Sequence, residues 1–230
     1  DVAITPDDSG GVFVRFLTDI NGNYDQYLQH MLADGRRDPR WPLAGVPATL
    51  EPHTQYASDT VSDGLGGVYM VWEDWRGGPY SSIDLYAQHL LPNGQRAPGW
   101  PANGMPVVIA PGSQERAVLL PDGPGGVFIA WSDNRTDPGN SNAFSDVYAT
   151  RIRFDGSRAE GWLENGTPVS AEPGYSTLPR IASDGVGGVL IAWLDARGGG
   201  SNYAQRMNPD ASIAPGWQVN GNPILAGPPS

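Results

Sequence analysis

The chain has 230 residues, no cysteine and no lysine, and its 14 arginines against 25 acidic residues give a formal charge of −11. Without cysteine it has neither a disulfide framework nor a thiolate metal site. Its negative charge disfavours binding to nucleic acid or to anionic lipid surfaces, and no apolar run approaches the roughly 18 residues that span a bilayer.

One stretch of sequence occurs four times. Its clearest copy is Ser183–Arg197, which reads SDGVGGVLIAWLDAR, and Asp7–Ile20 is a worn copy. The valines after the paired glycines are Val12, Val68, Val127 and Val189, so the copies are 56, 59 and 62 residues apart. A period of this size is typical of repeat architectures, in which each repeat is one supersecondary unit.

Each repeat begins with two predicted strands, A and B. The Asp-Gly-x-Gly-Gly segment between them supplies residues that tolerate positive φ, which is a strong hairpin signal. Strand B is apolar on both faces, so both of its faces must be covered. The predicted A strands are Val2–Thr5, Tyr56–Val61, Arg116–Leu120 and Pro179–Ala182, and the B strands are Gly11–Phe16, Gly67–Trp72, Gly126–Trp131 and Gly188–Trp193.

Strands C and D complete each repeat. A tryptophan lies six residues before a proline in all four copies, and the proline opens strand D, which predicts that D is the outer edge strand. The predicted C strands are Asp25–Leu32, Asp84–Leu91, Asp146–Ile152 and Asn202–Met207, and the D strands are Pro47–Leu50, Pro106–Ala110, Pro168–Ala171 and Pro223–Ala226.

Four-stranded units of this period predict an all-β fold, a β-propeller with four blades of four antiparallel strands. We expect one domain over residues 1–230, with blades at approximately 1–50, 51–110, 111–171 and 172–230. A closed four-bladed propeller is the simplest interpretation; a segment of a larger propeller or an open array of blades is the alternative.

The motifs resemble a repeat of bacterial secreted and surface proteins. That repeat has the form D-G-x-G-G-V-x-x-A-W-x-D-x-R, then D-I-Y-A-Q, then W-x-x-N-G, and copy 1 departs from it with Phe16 for Trp and Ile20 for Arg. The resemblance covers nearly the whole chain. It implies a propeller-like fold and an extracellular location, but no defined activity and no catalytic residues.

Two recurring groups invite both a structural and a binding interpretation. The Asp-x-Arg pairs after strand B could form a ring of arginines for carboxylates, but we interpret them as structural ion pairs, with nearby backbone or with Asp84 and Asp146. The tryptophans between C and D could be glycan platforms, but we favour burial between blades. The pairs are Asp74/Arg76, Asp133/Arg135 and Asp195/Arg197, and the tryptophans are Trp41, Trp100, Trp162 and Trp217.

No catalytic or metal-binding constellation can be recognised in the sequence. His30 and His89 occupy one position of strand C where other copies have arginine, which we interpret as a solvated strand face. No cofactor is expected, although the central channel could hold a cation such as calcium or sodium. The acids are numerous enough for a glycosidase-like carboxylate pair, but nothing singles one out.

Features that recur in every copy are interpreted as requirements of the fold, and features that occur once as candidates for function. The B–C loops and the D–A connections differ between copies and emerge at one end of the blades, where specificity is expected. The predicted binding residues there are Trp75, Tyr80, Phe144, Tyr175 and His53.

The leading interpretation is an extracellular, non-enzymatic propeller that binds another protein or itself. The alternatives are a carbohydrate-binding lectin and, third, a glycoside hydrolase or lyase. An enzyme would be revealed by clustered, buried acids with perturbed pKa values on the channel-side rim. Composition favours a secreted or cell-surface location, with no nucleic-acid partner and no membrane insertion.

Overall fold

The computed structural model describes residues 2–20, 23–78, 82–138, 146–172, 174–197 and 200–225. These residues form sixteen β-strands in four antiparallel four-stranded sheets, with one 3₁₀ turn at Gly123–Gly125. No helix within these ranges is long and apolar enough to cross a membrane. The prediction of an all-β propeller is confirmed.

Each sheet is one blade, and its strands lie side by side in chain order. Blade 1 contains β1 (Val2–Pro6), β2 (Val12–Ile20), β3 (Asn23–Met31) and β4 (Val46–Pro47), and blade 2 contains β5 (Gln55–Ser62), β6 (Val68–Asp74), β7 (Asp84–Leu90) and β8 (Met105–Val108). Blade 3 contains β9 (Gln114–Pro121), β10 (Gly126–Asp133), β11 (Asp146–Arg153) and β12 (Thr167–Ser170), and blade 4 contains β13 (Ser176–Ser183), β14 (Val189–Asp195), β15 (Ser201–Met207) and β16 (Asn222–Pro223).

The last strand of each blade is its outer edge, and a proline is its second residue. Each of these strands therefore begins one residue before the proline that was predicted to open it. Proline has no N–H to donate, so an edge strand tolerates it where an inner strand would not.

Three hydrophobic cores fill the spaces between consecutive blades. Val68, Met70 and Trp72 of β6 face blade 1, while Tyr69 and Val71 of the same strand face blade 3. A third core joins blades 3 and 4. The two-faced apolar pattern of strand B thus gives each inner blade one apolar face for each neighbour.

The tryptophan, aspartate and arginine at the end of strand B form one hydrogen-bonded unit. In blade 2, Asp74 accepts from Trp72 Nε1 at 2.7 Å and pairs with Arg76 at 2.8 Å. The guanidinium of Arg76 also donates to the Asn103 carbonyl and lies 3.4 Å from the ring centre of Tyr86. Arginine is therefore held by its own motif, by backbone and by a ring, rather than by the strand C aspartates that were suggested as partners. The equivalent units in blades 3 and 4 use Trp131, Asp133, Arg135, Asn165 and Tyr148, and Trp193, Asp195, Arg197, Asn220 and Tyr203.

The residue after Asn103 has to be a glycine because the strand B tryptophan lies against it. Gly104 has φ +85°, and a Cβ there would lie 2.5 Å from the Trp72 ring. Any side chain would collide with the indole, which explains why Trp-x-x-Asn-Gly accompanies the strand B tryptophan.

The tryptophan between C and D connects each blade to the next. Trp41, Trp100 and Trp162 are buried, and each Nε1 donates to a carbonyl of the following blade, on Pro92, Phe154 and Pro209, at 3.0, 2.9 and 2.9 Å. Trp217 is half-buried and makes no such bond within the described part of the chain. The first three therefore join consecutive blades, as the sequence predicted.

The two ends of the blade array are not packed as the internal interfaces are. Val12, Val14 and Phe16 of blade 1 are half-buried, whereas the equivalent Val68, Met70 and Trp72 are completely buried. Among the described residues, no hydrophobic core joins blade 4 to blade 1 as the three cores join consecutive blades. Closure of the ring stays a prediction.

Candidate functional site

One end of the propeller, here called the upper rim, carries two glutamates, Glu73 and Glu115, that no other repeat has at the same positions. It is the end at which β6, β10 and β14 finish and β5, β9 and β13 begin. The predicted B–C loops and D–A connections emerge there.

A carboxylate pair lies on this rim where blade 2 meets blade 3. Glu73, the last but one residue of β6, accepts a hydrogen bond of 2.8 Å from the backbone N–H of Arg116 in blade 3. Glu115 precedes Arg116 and lies opposite Ser132 in the β9–β10 ladder. Arg116 has φ +59°, a left-handed conformation at an irregularity of that ladder, and it turns this start of β9 toward blade 2.

Burial, reinforced by the neighbouring charge of Glu73, raises the pKa of Glu115 to about 7. A carboxyl with this pKa keeps a proton near neutral pH and can release it there. Glu115 is therefore suited to act as a general acid.

A third acid, Asp59, lies deeper on the innermost strand of blade 2. Burial raises its pKa, opposed by hydrogen bonds from the N–H groups of Leu119 and Thr60, both at 2.8 Å, and by the charges of Arg15 and Arg180. The bond from Leu119 crosses to blade 3, so Asp59 ties the inner strands of two blades together. Because Asp59 accepts these two backbone hydrogen bonds, we assign it a structural role.

Aromatic side chains border the carboxylate pair. Tyr56 lies directly opposite Glu73 in the β5–β6 ladder, and opposed residues of an antiparallel pair lie close together on one face. The Tyr56 ring stacks on Tyr24 of blade 1 with centroids 6.1 Å apart, and the edge-on ring of Trp75 is 5.4 Å away. Tyr24 and Tyr56 are both about two-fifths exposed, at 40% and 41%. The rings therefore lie where blade 1 meets blade 2, and Tyr56 connects them to Glu73 through the ladder.

The strand C acids also have perturbed pKa values, but they recur. Burial raises the pKa of Asp84 to about 6, and the charge of Asp74 adds to this, while a hydrogen bond from the Ala110 N–H opposes it. Burial likewise raises the pKa of Asp146 at the same position of blade 3. Because they occupy one position of the repeat beside the Asp-x-Arg units, we assign them to the fold.

The five predicted binding residues are only partly brought together. Trp75 is half-buried on the upper rim, in the aromatic group with Tyr56. His53 is half-buried with φ +74°, and its carbonyl accepts from Gln55 Nε2 at 2.7 Å. Tyr175 is half-buried at the start of blade 4, and its carbonyl accepts from the Ala196 N–H. The remaining two predictions, Tyr80 and Phe144, lie outside the described residues.

Sequence reasoning missed the acids of the site and two of its rings. Glu73, Glu115, Tyr24 and Tyr56 are each unrepeated, so the comparison of copies contained the signal. The sequence placed Tyr56 and Glu115 in the variable D–A connections of this rim but did not select them as binding residues, and it did not single out Glu73 or Tyr24, which lie within strands.

The interpretation of His30 and His89 as a solvated face was wrong, because both rings are buried. His89 Nε2 lies 2.8 Å from Asp63, the aspartate of its own Asp-Gly-x-Gly-Gly turn. His30 lies 2.9 Å from both Asp7 and Asp38, one carboxylate at each ring nitrogen. Arg151 and Arg206 bind Asp122 and Asp184 in the same way, so a cation or imidazole on strand C anchors each turn.

No group of three or more His, Asp or Glu side chains among the described residues is placed to hold a metal ion. A separate cleft of about 340 Å³ lies at the opposite end of the inner strands, lined by Thr5, Asp8, Val61, Asp63 and Pro121 among others. Its Asp63 already binds His89 and the turn backbone. Glu115 with its raised pKa, the neighbouring Glu73 and the aromatic rings are at the upper rim, so we place the candidate site there rather than in this cleft.

No family model matches the chain, and no curated protein matches it. Solved structures do. One is a thermostable family-43 glycoside hydrolase with 11% identity, covering 99% of this chain and 75% of the other, with a TM-score of 0.49. Another is an α-L-arabinofuranosidase from Fusarium graminearum in complex with an iminosugar inhibitor, with 11% identity, coverages of 98% and 67%, and a TM-score of 0.50. At this identity the second likeness supports the propeller fold.

The comparison corrects the leading functional expectation. The expectations of a non-enzymatic binding or self-assembly module, and of a protein that is not an enzyme, are contradicted by this comparison, in which the structure of similar fold is an α-L-arabinofuranosidase. The third interpretation of the sequence agrees with it. Of the mark that was named for an enzyme, the upper rim has two neighbouring acids, both half-buried, and the pKa of Glu115 is raised.

Proposed function

We propose that the protein is a glycoside hydrolase whose reaction centre is the Glu73–Glu115 pair. The observation that carries the proposal is the raised pKa of Glu115, about 7, beside a second carboxylate on the open rim. Glycoside hydrolysis commonly uses two acids, one of which has a raised pKa and donates the proton. The enzymes of similar fold support the same reaction class.

Each acid has a role that its surroundings suggest. Glu115 donates its proton to the glycosidic oxygen as the bond to the leaving group breaks. Glu73, oriented by the hydrogen bond from the Arg116 N–H, is the second carboxylate. It either takes a proton from the attacking water or attacks the sugar carbon, depending on the separation of the two groups in the sugar complex.

The aromatic group formed by Tyr24, Tyr56 and Trp75 supplies the binding surface. Sugar rings have apolar faces that pack on aromatic rings, and these rings border Glu73. We propose that one sugar unit packs here while the scissile bond lies over the acids. The extracellular location predicted from composition is part of this proposal.

The test is a panel of aryl glycosides, including an aryl α-L-arabinofuranoside, assayed with the wild type and with Glu115→Gln and Glu73→Gln. We expect turnover of at least one substrate and a loss of about 10²-fold or more in each variant, since a positioned acid or base contributes that much. Glu160→Gln, an exposed acid of a distant turn in blade 3, is the matched control and should retain full activity.

Two results would contradict the proposal. One is turnover that survives Glu115→Gln unchanged, which would place the chemistry elsewhere. The other is saturable binding of sugars, measured by calorimetry, without hydrolysis of any of them; that result would favour the lectin alternative.

A further inference from the structure

Two contacts join consecutive blades at the outer side of the propeller. In all three internal interfaces the tryptophan of the leading blade donates to a turn carbonyl of the following blade. In the interfaces that follow blades 2 and 3, the glycine before that tryptophan also approaches the same turn. Gly161 shows how close this approach is, because a Cβ there would lie 2.0 Å from the Asp210 carbonyl oxygen. The same holds for Gly99 and Asp155. Each leading blade therefore contacts the following blade through the backbone of that turn.

In blade 4 the residues that make these contacts have no counterpart against them among the described residues. Gly216, which corresponds to Gly99 and Gly161, has no atom within 4 Å of the position of a Cβ. Trp217 beside it is half-buried. Leu190 and Ala192, at positions whose counterparts in blades 2 and 3 are completely or almost completely buried, are also half-buried. We call this surface the front face of blade 4.

Blade 1 presents the complementary surface. Its turn at Ala33–Gly35 corresponds to the turns that receive the tryptophan bonds in blades 2, 3 and 4, and Gly35 has no atom within 4 Å of a Cβ position. The equivalent Gly94 would meet the Trp41 ring at 3.0 Å. Val12, Val14 and Phe16 are half-buried beside this turn. We call this surface the rear face of blade 1.

We propose that the front face of blade 4 binds the rear face of blade 1 of a second copy of this chain, head to tail. Trp217 Nε1 donates to the Ala33 carbonyl, and Gly216 makes room for the Asp34 carbonyl. Arg206 faces the same turn, as Arg151 does when it donates to the Pro209 carbonyl at 3.3 Å. The occupant is a second copy because its rear face has the shape and apolar surface that the three internal interfaces already select.

Such an interface is heterologous, so it propagates from copy to copy. It also covers apolar side chains that would otherwise face water at both ends of the array. The inference is independent of the proposed function, since it uses neither the acids nor the rings of the site.

The test blocks one face at a time. Leu190→Arg places a charge on the front face and Val14→Arg on the rear face, and Leu65→Arg on an exposed turn of blade 2 is the matched control. Sedimentation velocity over a wide concentration range should show the wild type and the control associating beyond one chain. Each blocked variant should show a dissociation constant at least about tenfold weaker, because burying an unpaired charge is costly.

Mixing the two blocked variants sharpens the test. Val14→Arg keeps an intact front face and Leu190→Arg keeps an intact rear face, so an equimolar mixture should form a one-to-one dimer that grows no further. Circular dichroism and thermal unfolding establish that each variant is folded. A wild type that stays a single chain at every concentration would overturn the proposal, and so would a mixture that forms no dimer.

One further outcome would also overturn it. If Leu190→Arg lowers the unfolding temperature of a monomeric protein while Leu65→Arg does not, the front face is covered by blade 1 of the same chain. Glycosidase assays are not needed for any of these results, so a failure here is separate from a failure of the proposed function.

Discussion

Blade 2 meets blade 3 at the upper rim in the same way that blade 3 meets blade 4, but with different side chains. In the first interface the N–H of Arg116 donates to Glu73, and in the second the N–H of Leu178 donates to Ser132 Oγ at 3.2 Å. Both donors have positive φ, +59° and +55°. The repeat supplies one backbone geometry, and the side chains placed on it decide whether the position only joins blades or also carries acids.

The residue that precedes each donor in the chain also differs between the two interfaces. In blade 3 it is Glu115, whose pKa is raised, whereas in blade 4 it is Thr177, which is buried and bonded to Ser132 at 3.1 Å. At the interface between blades 3 and 4, the hydroxyl groups of Ser132 and Thr177 hydrogen-bond to each other. At the first, two carboxyls share a partly buried place, which favours keeping a proton on one of them.

The largest expected effect comes from giving the interface between blades 2 and 3 the side chains that lie at the interface between blades 3 and 4. The double variant Glu73→Ser, Glu115→Thr should lose glycosidase activity by about 10²-fold or more while remaining folded, because the backbone geometry persists and the acids do not. The measurement is kcat/KM together with a thermal unfolding curve. The reciprocal control, Ser132→Ala, removes a hydroxyl from the second interface and should leave kcat/KM unchanged. Equal losses in both would show that activity depends on the scaffold alone.

A smaller effect is expected from the aromatic border of the first interface. Tyr56→Ala should raise KM about tenfold with little change in kcat, since one stacking contact contributes about 1 kcal/mol or slightly more. Tyr175→Ala, at the start of blade 4, is the control and should leave KM unchanged. A fall in kcat with constant KM would instead mean that Tyr56 positions Glu73.

The pH dependence separates the two acids. With Glu115 as the proton donor, kcat/KM should fall as the pH rises through about 7, because the donor then loses its proton. Glu73→Gln removes a negative neighbour and so lowers the pKa of Glu115, although burial still keeps it above its ordinary value. The alkaline limb of the residual activity should therefore move to lower pH. An unmoved limb would contradict the coupling of the pair.

The smallest expected effect is on stability. A raised pKa means that the folded state prefers protonated Glu115, so the wild type loses stability as the pH rises from the ordinary glutamate range to about 7. Glu115→Gln should remove this loss and gain about 1 kcal/mol above pH 7, a modest figure because solvent screens the partly exposed group. Below pH 4 the two proteins should have the same free energy of unfolding. A gain that is equal at both pH values would show that the charge is irrelevant.

The sequence predicted the scaffold well because the scaffold repeats. Four copies of one pattern revealed the hairpin glycines, the two-faced strand B and the edge proline, and each of these has a local physical cause. The function of the Asp-x-Arg unit was predicted only as far as an ion pair. Its bonds to Trp72 and to the Asn103 carbonyl join residues that lie 2 and 27 positions from their partners, and the second distance cannot be judged from local sequence.

Burial and contact between blades were the properties that local sequence could not supply. His30 and His89 alternate with arginine in the repeat and so looked solvated, yet each is buried against an aspartate 23 or 26 residues earlier in the chain. Glu115 and Glu73 lie on different blades, and no spacing rule brings them together. The secreted location and the identity of any partner remain predictions.

The sequence by itself therefore determined the blade, because hairpins, edge strands and two-faced apolar strands follow from residues close together in the chain. The tertiary structure alone decided where the acids meet and which faces are unpaired. Both depend on how one blade is placed against the next, and that placement fixes the burial that raises the pKa of Glu115 and the empty space beside Gly216.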